Sequence, residues 1–371
     1  MSEKPRILIL GKLPPPYMGP AIATQILLQS GLKDYFELIH LNTKMNASLE
    51  NMGKLGIRKI MKGILLYWNM LWICLTARPH LVLIPISQSS RGFVKDFLFI
   101  AAGKLAGRRV VLQLRGSNFQ NWMDTAPSFI RALVKFAMKW SVGMIVLGSN
   151  LRYLFRNYFP EERIYVIPNG GNFHFPAVEK NSRETRFLFF SNLFDAKGIR
   201  DVVDAVQLLQ KEHPGAIHLD VAGSWLEENT RSYCMDLVEK NKLPVTFFPA
   251  LSGVEKELRF ARADVFIFTP RDPEGHPWVI VEAMAAALPV IATDKGAITE
   301  SVVDGENGFI VKDNDPAAIA AKMFTLATEP ALRKRMSSRS LEYYHSKFTE
   351  EKMVENYVKC FQDLLKAYQN G

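Results

Sequence analysis

Short apolar runs recur along this chain with room for a helix between each pair, and that alternation restricts the fold to parallel α/β architecture. In the first half Arg6–Leu10, Leu81–Ile84, Val110–Leu114, Gly143–Leu147 and Ile164–Ile167 read as strands. The pattern restarts with Arg186–Phe190, Ile217–Val221, Val245–Phe248, Val265–Phe268, Val290–Thr293 and Gly308–Val311. The polar, weakly patterned stretch Glu179–Thr185 between the two sets reads as a linker. At 371 residues and 48% apolar composition the chain can fill two cores. The expected organisation is a first domain over 1–175, a second over 186–348 and a terminal helix over 349–371. In that helix Met353, Val354, Tyr357, Val358, Phe361, Leu364 and Leu365 recur near a 3.6 period, suited to packing back on the first domain.

Charge divides the halves. Residues 1–180 carry 23 Lys and Arg against 9 Asp and Glu, whereas the remainder carries 23 against 28. No nucleic-acid motif accompanies the basic half, and its cations alternate with large apolar residues. Lys54, Arg58, Lys59 and Lys62 precede the run Ile64–Leu75; Arg131, Lys135 and Lys139 lie beside Phe129, Phe136 and Trp140. Both segments read either as amphipathic helices for an anionic membrane surface or as ordinary helices, one buried and one solvated. The 64–75 run is too short to span a bilayer, which needs about 20 apolar residues. Cys74, Cys234 and Cys360 have no metal-ligand spacing and fit a reducing compartment. The opening Met1-Ser-Glu-Lys-Pro runs straight into a strand, so a cytoplasmic protein, peripheral on the inner face of a membrane, is expected.

The densest chemistry lies after Val265–Phe268. Glu274 falls in the strand-to-helix loop, at the carboxyl edge where open α/β sheets bind ligands, and Glu282 falls inside the following helix. Pro277 suits a first helical position, and the N–H groups around Gly275, His276 and Trp278 would favour an anion. Glu274 could equally complement the helix dipole, and Glu282 could pair with a neighbour. Four further segments carry weaker signals. Gly19 follows the first strand, where a backbone could approach a ligand. Arg115-Gly116-Ser117 follows Val110–Leu114, with Arg115 as an anion contact or a salt-bridge partner. Lys197-Gly198 in Asn192–Gly198 is a phosphate contact or a turn, and Gly223 makes another tight turn. Asp313-Asn-Asp315 spells a metal-binding D-x-D, but Asp315-Pro316 reads as a helix cap.

Together these segments resemble the family-four retaining glycosyltransferases, most specifically from Ala263 to Val311, through Glu282-Ala-Met-Ala, Pro289-Val-Ile-Ala-Thr and Asp304-Gly-Glu-Asn-Gly-Phe-Ile. The loop Asn192–Gly198 and the run Val166-Ile-Pro-Asn-Gly170 match in position. The resemblance implies a GT-B fold, two doubly wound Rossmann-like domains facing across a cleft, and sugar transfer with retention from a UDP- or GDP-sugar to a glycan or lipid-linked glycan. Surface polysaccharide synthesis, lipopolysaccharide included, is the implied setting. Glu282 would hold the donor ribose, and Glu274, Gly275, His276 and Pro277 would face the sugar and its phosphates. Lys197, with Asn192 and Gly223 beside it, would hold the diphosphate, and Gly19 would lie over the phosphates. Tyr17, Arg115, Gly116 and Ser117 would form the acceptor side. The family commonly has Arg at Asn192, so Arg115 becomes the candidate for the second charge on the leaving group. His276 stands where Phe is usual and Pro20 where a second Gly is usual. The catalytic set implied is Glu274, Lys197 and Arg115, without a metal cofactor and without an assigned general base.

Three other readings stay open. A nucleotide-sugar epimerase would isomerise donor without acceptor, and a silent sugar-nucleotide-binding protein would bind donor without turnover. A two-lobed solute-binding protein would share the α/β doublet but carry an export signal.

Overall fold

A computed structural model describes residues 3–15, 18–44, 57–180, 184–215 and 217–366, with the backbone alone for 57–60. The chain forms two compact units, Met1–Asn169 with Glu350–Gly371, and Gly170–Thr349. In the first unit the order is β1 (Arg6–Gly11), α1 (Gly19–Gln29), β2 (Glu37–Asn42), α2 (Ile57–Thr76), β3 (Leu81–Ile86) and α3 (Ser90–Leu105), followed by β4 (Arg109–Leu114), α4 (Phe119–Thr125), α5 (Ser128–Trp140), β5 (Gly143–Val146) and β6 (Ile164–Val166). The second unit runs β7 (Thr185–Phe190), α6 (Ile199–Glu212), β8 (Ile217–Ala222), α7 (Glu228–Asn241), β9 (Val245–Phe248), α8 (Gly253–Arg262) and β10 (Val265–Phe268). It continues through α9 (Trp278–Ala285), β11 (Val290–Thr293), β12 (Gly308–Val311), α10 (Pro316–Thr328) and α11 (Pro330–Tyr343). The terminal helix α12 (Glu350–Lys366) belongs to the first unit.

Each unit is built on a six-stranded sheet, ordered β2-β1-β3-β4-β5-β6 in the first and β12-β11-β10-β7-β8-β9 in the second. All strand pairs are parallel. Each order reverses once, between β1 and β3 and between β7 and β10, and a crevice opens at the carboxyl edge where such a reversal occurs. In the first sheet Pro85 widens it. Pairing of β1 with β3 stops at Ile9 and Leu83, because a proline has no N–H to continue that ladder, while β3 stays paired to β4 through Ile86.

The strands are apolar throughout because both faces are covered. In the first sheet Ile7, Ile9, Leu81, Leu83, Val111 and Ile145 share a core with Met353, Tyr357, Cys360, Phe361 and Leu364 of α12. Burial of six α12 side chains at about 1.5–3 kcal/mol each makes this helix an integral wall, on the order of 10 kcal/mol before ordering entropy is subtracted. Arg109 Nη1 donates to the carbonyls of Leu364 and Leu365 at 3.0 and 2.9 Å, satisfying groups at the helix end. Gln113 Nε2 donates to the Tyr357 hydroxyl at 2.7 Å inside the core. In the second unit two cores flank the sheet, one under α6 and α10 and the other under α9.

Several details differ from the sequence reading. Strand β2 was not expected; Glu37-Leu-Ile-His-Leu-Asn is a partly exposed edge strand and lacks the continuous apolar run of its neighbours. Thr185 opens β7 and is no linker residue, and the second unit begins at Gly170, since Phe173 and Phe175 pack on the core around Phe260 and Val281. Pro277 caps α9 from outside the first turn, one residue earlier than expected. Tyr357→Phe should destabilise the protein by about 1–3 kcal/mol, because it leaves the buried Gln113 amide without its acceptor. Denaturant unfolding checks this: a lower midpoint at unchanged slope is expected, whereas an unchanged midpoint refutes the role given to this bond.

Candidate active site

The second unit's reversal point gathers the loops after β7 and β10. Leu193 N–H donates to the Ser224 carbonyl at 2.8 Å and Ser191 N–H to that of Ala222 at 3.1 Å, so the 191–198 loop is laced to the turn after β8. That turn needs Gly223, whose Cβ would meet the Ser191 carbonyl oxygen at 1.7 Å. Gly198 has φ +80° and a Cβ there would lie 1.9 Å from the Thr269 carbonyl oxygen, so only glycine lets the two loops meet. Arg271 locks them further. Its N–H donates to the Ala196 carbonyl at 2.9 Å, and its guanidinium binds Asp201 at 2.9 Å and Asp195 at 2.6 Å.

This bracing directs Lys197 to Glu274. The ammonium and carboxylate form a direct ion pair, 22% and 17% exposed, with the Phe194 and Phe268 rings each 5.6 Å from the ammonium. The Gly275 carbonyl accepts from Ala297 N–H at 2.8 Å, fixing the loop just before α9. Inside α9, Glu282 is 6% exposed, and its Oε1 accepts from Lys256 of α8 at 2.6 Å. Its Oε2 is buried without a hydrogen-bond partner among the described residues. Burial raises the Glu282 carboxyl above its ordinary range while Lys256 opposes the rise. A buried carboxylate oxygen lacking a donor is costly unless a ligand brings one. Asn192 is exposed at the start of the 191–198 loop.

His276 is 3% exposed, with Nε2 2.6 Å from Ser301 Oγ and its ring 5.1 Å from that of Phe348. Burial lowers its pKa to about 3. The imidazole is neutral at physiological pH and packs as an aromatic ring, the role a Phe would have there.

Of the expected residues in the first unit, Gly19 opens α1, and the adjacent Pro20 carbonyl accepts from Arg115 Nη1 at 3.2 Å. Arg115 Nε donates to Gln113 Oε1 at 3.1 Å, so Tyr357, Gln113, Arg115 and Pro20 form one hydrogen-bonded relay. A Cβ on Gly116 would lie 2.0 Å from Gln88 Nε2, and the buried Ser117 Oγ has no partner among the described residues. Tyr17 lies outside the described residues. Asp315 caps α10, accepting from Ala318 N–H at 2.9 Å, and Asp313 pairs with Lys295 at 3.1 Å.

Lys256 and Arg271 were missed from sequence. Lys256 lies 26 positions before its partner, so no local spacing announces the pair. Arg271-Asp272 follows β10 after Thr269-Pro270, and its place at a ligand-facing edge was the available signal.

The His276 geometry has a pH consequence. A folded pKa below the unfolded value near 6.5 means the unfolded chain binds the proton first, so stability falls as pH drops from about 6.5 toward 3, by up to about 1.4 kcal/mol per pH unit. His276→Phe should flatten that acid limb of a melting curve; an unchanged slope between pH 6.5 and 4.5 would contradict the buried neutral ring.

Comparison with known proteins agrees with this geometry. The family model described as glycosyl transferases group 1 matches residues 172–342. An uncharacterized glycosyltransferase of Methanocaldococcus jannaschii is 33% identical over 205 residues, 55% of each chain. The capsular polysaccharide biosynthesis glycosyltransferase CapM of Staphylococcus aureus is 25% identical over 252 residues, 62% of this chain and 64% of that one. The chain thus spans about half to two thirds of the curated relatives it matches. In fold it follows sucrose-phosphate synthase from Thermosynechococcus elongatus, with TM-score 0.76 and 16% identity over 98% of this chain and 100% of that one. Anabaena HepE, solved with UDP, gives TM-score 0.72 and 16% identity over 97% and 100%. The glycosyl transferases group 1 model thus matches the second unit, and along its whole length the chain has the GT-B fold of these solved structures.

Proposed function

We propose that this protein is a retaining glycosyltransferase that moves a sugar from a nucleoside diphosphate sugar, UDP- or GDP-linked, to a glycan or lipid-linked glycan in surface polysaccharide synthesis. The observation that carries the reading is the unpartnered, buried Oε2 of Glu282, held beside Lys256 at the edge where Lys197 and Glu274 already meet. A ribose hydroxyl supplies the missing donor. The diphosphate then competes with Glu274 for Lys197, while the first-turn N–H groups of α9 add their positive end of the helix dipole. Release from Lys197 frees Glu274 to accept hydrogen bonds from the sugar hydroxyls. As the nucleoside diphosphate departs, charge grows on its β-phosphate, and Lys197 and the helix terminus stabilise it electrostatically. Arg115, with Tyr17, Gly116 and Ser117, serves the acceptor side. A retained configuration without a covalent step lets the leaving phosphate help take the acceptor proton. The capsular relative from Staphylococcus aureus supports a polysaccharide acceptor.

A peripheral membrane site is the second part of the proposal, and one helix face supports it. On α2, Met61, Ile64, Leu65, Trp68, Trp72 and Leu75 are each more than half exposed, while Met70 and Cys74 face the core. That spacing is a single apolar stripe with two Trp, turned away from the protein. Phe129 and Phe136 of α5 are also exposed beside Arg131, Lys135 and Lys139. Lys54, and the side chains of Arg58 and Lys59, lie outside the described residues. No helix among the described residues is long and apolar enough to cross a membrane.

Thermal shift with UDP, GDP and their sugars tests the donor site. One of the two nucleotide series should stabilise the protein, by about 2.7 kcal/mol at a hundredfold excess over Kd, and stabilisation by none would end the assignment. Glu282→Ala should weaken the effective nucleotide about 10- to 100-fold and erase the preference for it over its 2′-deoxy form; an intact preference would remove the ribose role. Lys197→Ala should lower kcat by about 10²–10³, whereas Glu274→Gln should keep measurable turnover; near-total loss in the latter would favour a covalent nucleophile. Isomerised donor in the absence of acceptor would instead indicate an epimerase. Flotation with anionic vesicles at low salt should carry the protein upward, and Trp68→Ser with Trp72→Ser should abolish it; indifference of the wild type to such vesicles would refute membrane attachment.

A further inference from the structure

The first unit has a reversal point of its own, between β1 and β3, where a cavity of about 260 Å³ opens beyond the ladder that Pro85 ends. Its lining is strongly charged. Lys12 follows β1, Lys95 and Asp96 come from α3, and Arg115 follows β4. Asp96 is 2% exposed, accepts from Ser87 N–H at 2.7 Å and pairs with Lys95 at 3.1 Å. One carboxylate therefore faces three cations, and the pocket holds an excess of two positive charges before any ligand enters. Desolvation and then the Lys95 charge push the Lys12 ammonium below its ordinary value, with Asp96 opposing, as expected where two ammoniums face one small space. The Arg115 guanidinium is held in place by Gln113 and the Pro20 carbonyl. Gln88 borders the same cavity with a buried Oε1 that has no partner among the described residues.

Two uncompensated cations and an oriented guanidinium fit a dianion with several acceptor oxygens better than a neutral sugar. We propose that this pocket binds a phosphate group of the acceptor, with Lys12 and Lys95 as its specificity-determining contacts and Gln88 meeting a neighbouring hydroxyl. The inference rests on the glycosyltransferase reading for the word acceptor, but the phosphate site itself can be measured without turnover. The α3 segment that supplies Lys95 and Asp96 also exposes Val94 and Leu98, which gives an alkyl chain on that phosphate an apolar surface to follow.

The test uses the full-length Lys197→Ala protein, so that anion binding at the second unit is weakened, and measures calorimetric affinity for inorganic phosphate and for hexyl phosphate. Both should bind, and adding Lys12→Ala or Lys95→Gln should each weaken binding about tenfold or more, as loss of a charge-assisted contact does. Tighter binding of hexyl phosphate than of inorganic phosphate indicates a lipid-borne acceptor; equal binding indicates a soluble phosphorylated one. Absence of binding by either probe, or undiminished binding in both added variants, overturns the proposal. Lys12 is exposed, so its variant remains informative if Lys95→Gln fails to fold with Asp96 left unpaired. Nucleotide affinity of Lys12→Ala in an otherwise wild-type protein should not change. Failure of the donor reading thus shows as lost UDP and GDP binding with phosphate binding intact, and failure of the pocket shows as the reverse.

Discussion

The parallel ladder between β7 and β10, with Val265 opposite Phe187 and Ile267 opposite Phe189, is the constraint on which the candidate site depends. These strands are neighbours in the sheet but lie far apart in sequence, and their outgoing chains turn to different elements, α6 and α9. Two loops that begin side by side and then diverge leave a crevice whose walls are set by the rigid sheet. Gly198 and Arg271 hold those walls at contact distance, so Lys197 meets Glu274 through the strand order and needs no proximity in sequence.

The site is assembled from two carboxylate–lysine pairs in different environments. Glu274 and Lys197 keep some solvent, so their pairing is modest in free energy and open to competition. Glu282 is deeper, and without Lys256 the burial of its charge would be prohibitive. A buried pair of this kind adds little to stability against an apolar replacement, so its retention is better understood through what the unmatched oxygen can bind. In the proposed reaction the exchangeable pair would face the part of the donor that changes, and the fixed pair the part that does not.

Much of the fold was legible because strands buried on both faces leave long apolar runs, and every such run named from sequence is a strand. The exception, β2, is an edge strand with His40 and Glu37 in it, where half-exposure relaxes the demand for apolar side chains. Helix α12 was legible from its period, and its place in the first unit follows from the apolar face of that sheet. At the site, Lys197, Glu274 and Glu282 could be read because loops at strand ends and a helix start carry local signals. Lys256 and Arg271 could not, since their meaning comes from partners 26 and 70 positions away that only the folded sheet brings near. Of the charged pocket of the first unit only Arg115 was named from sequence, as an anion contact; Lys12 and Lys95 join it from two other crossovers, and no local spacing links the three.

The position of α12 also affects how the protein comes into being. Ile7, Ile9, Leu81, Leu83, Val111 and Ile145 are translated before the second unit, yet the helix that covers them is translated only after all of Gly170–Thr349. At ordinary elongation rates of about 5–20 residues per second, that apolar sheet face waits roughly 10–40 s for its cover. During this interval the nascent chain offers a broad, uncovered surface to chaperones and to other nascent chains. The first unit can therefore close its core only after the second has been delivered by the ribosome, so its folding cannot be completed strictly in chain order.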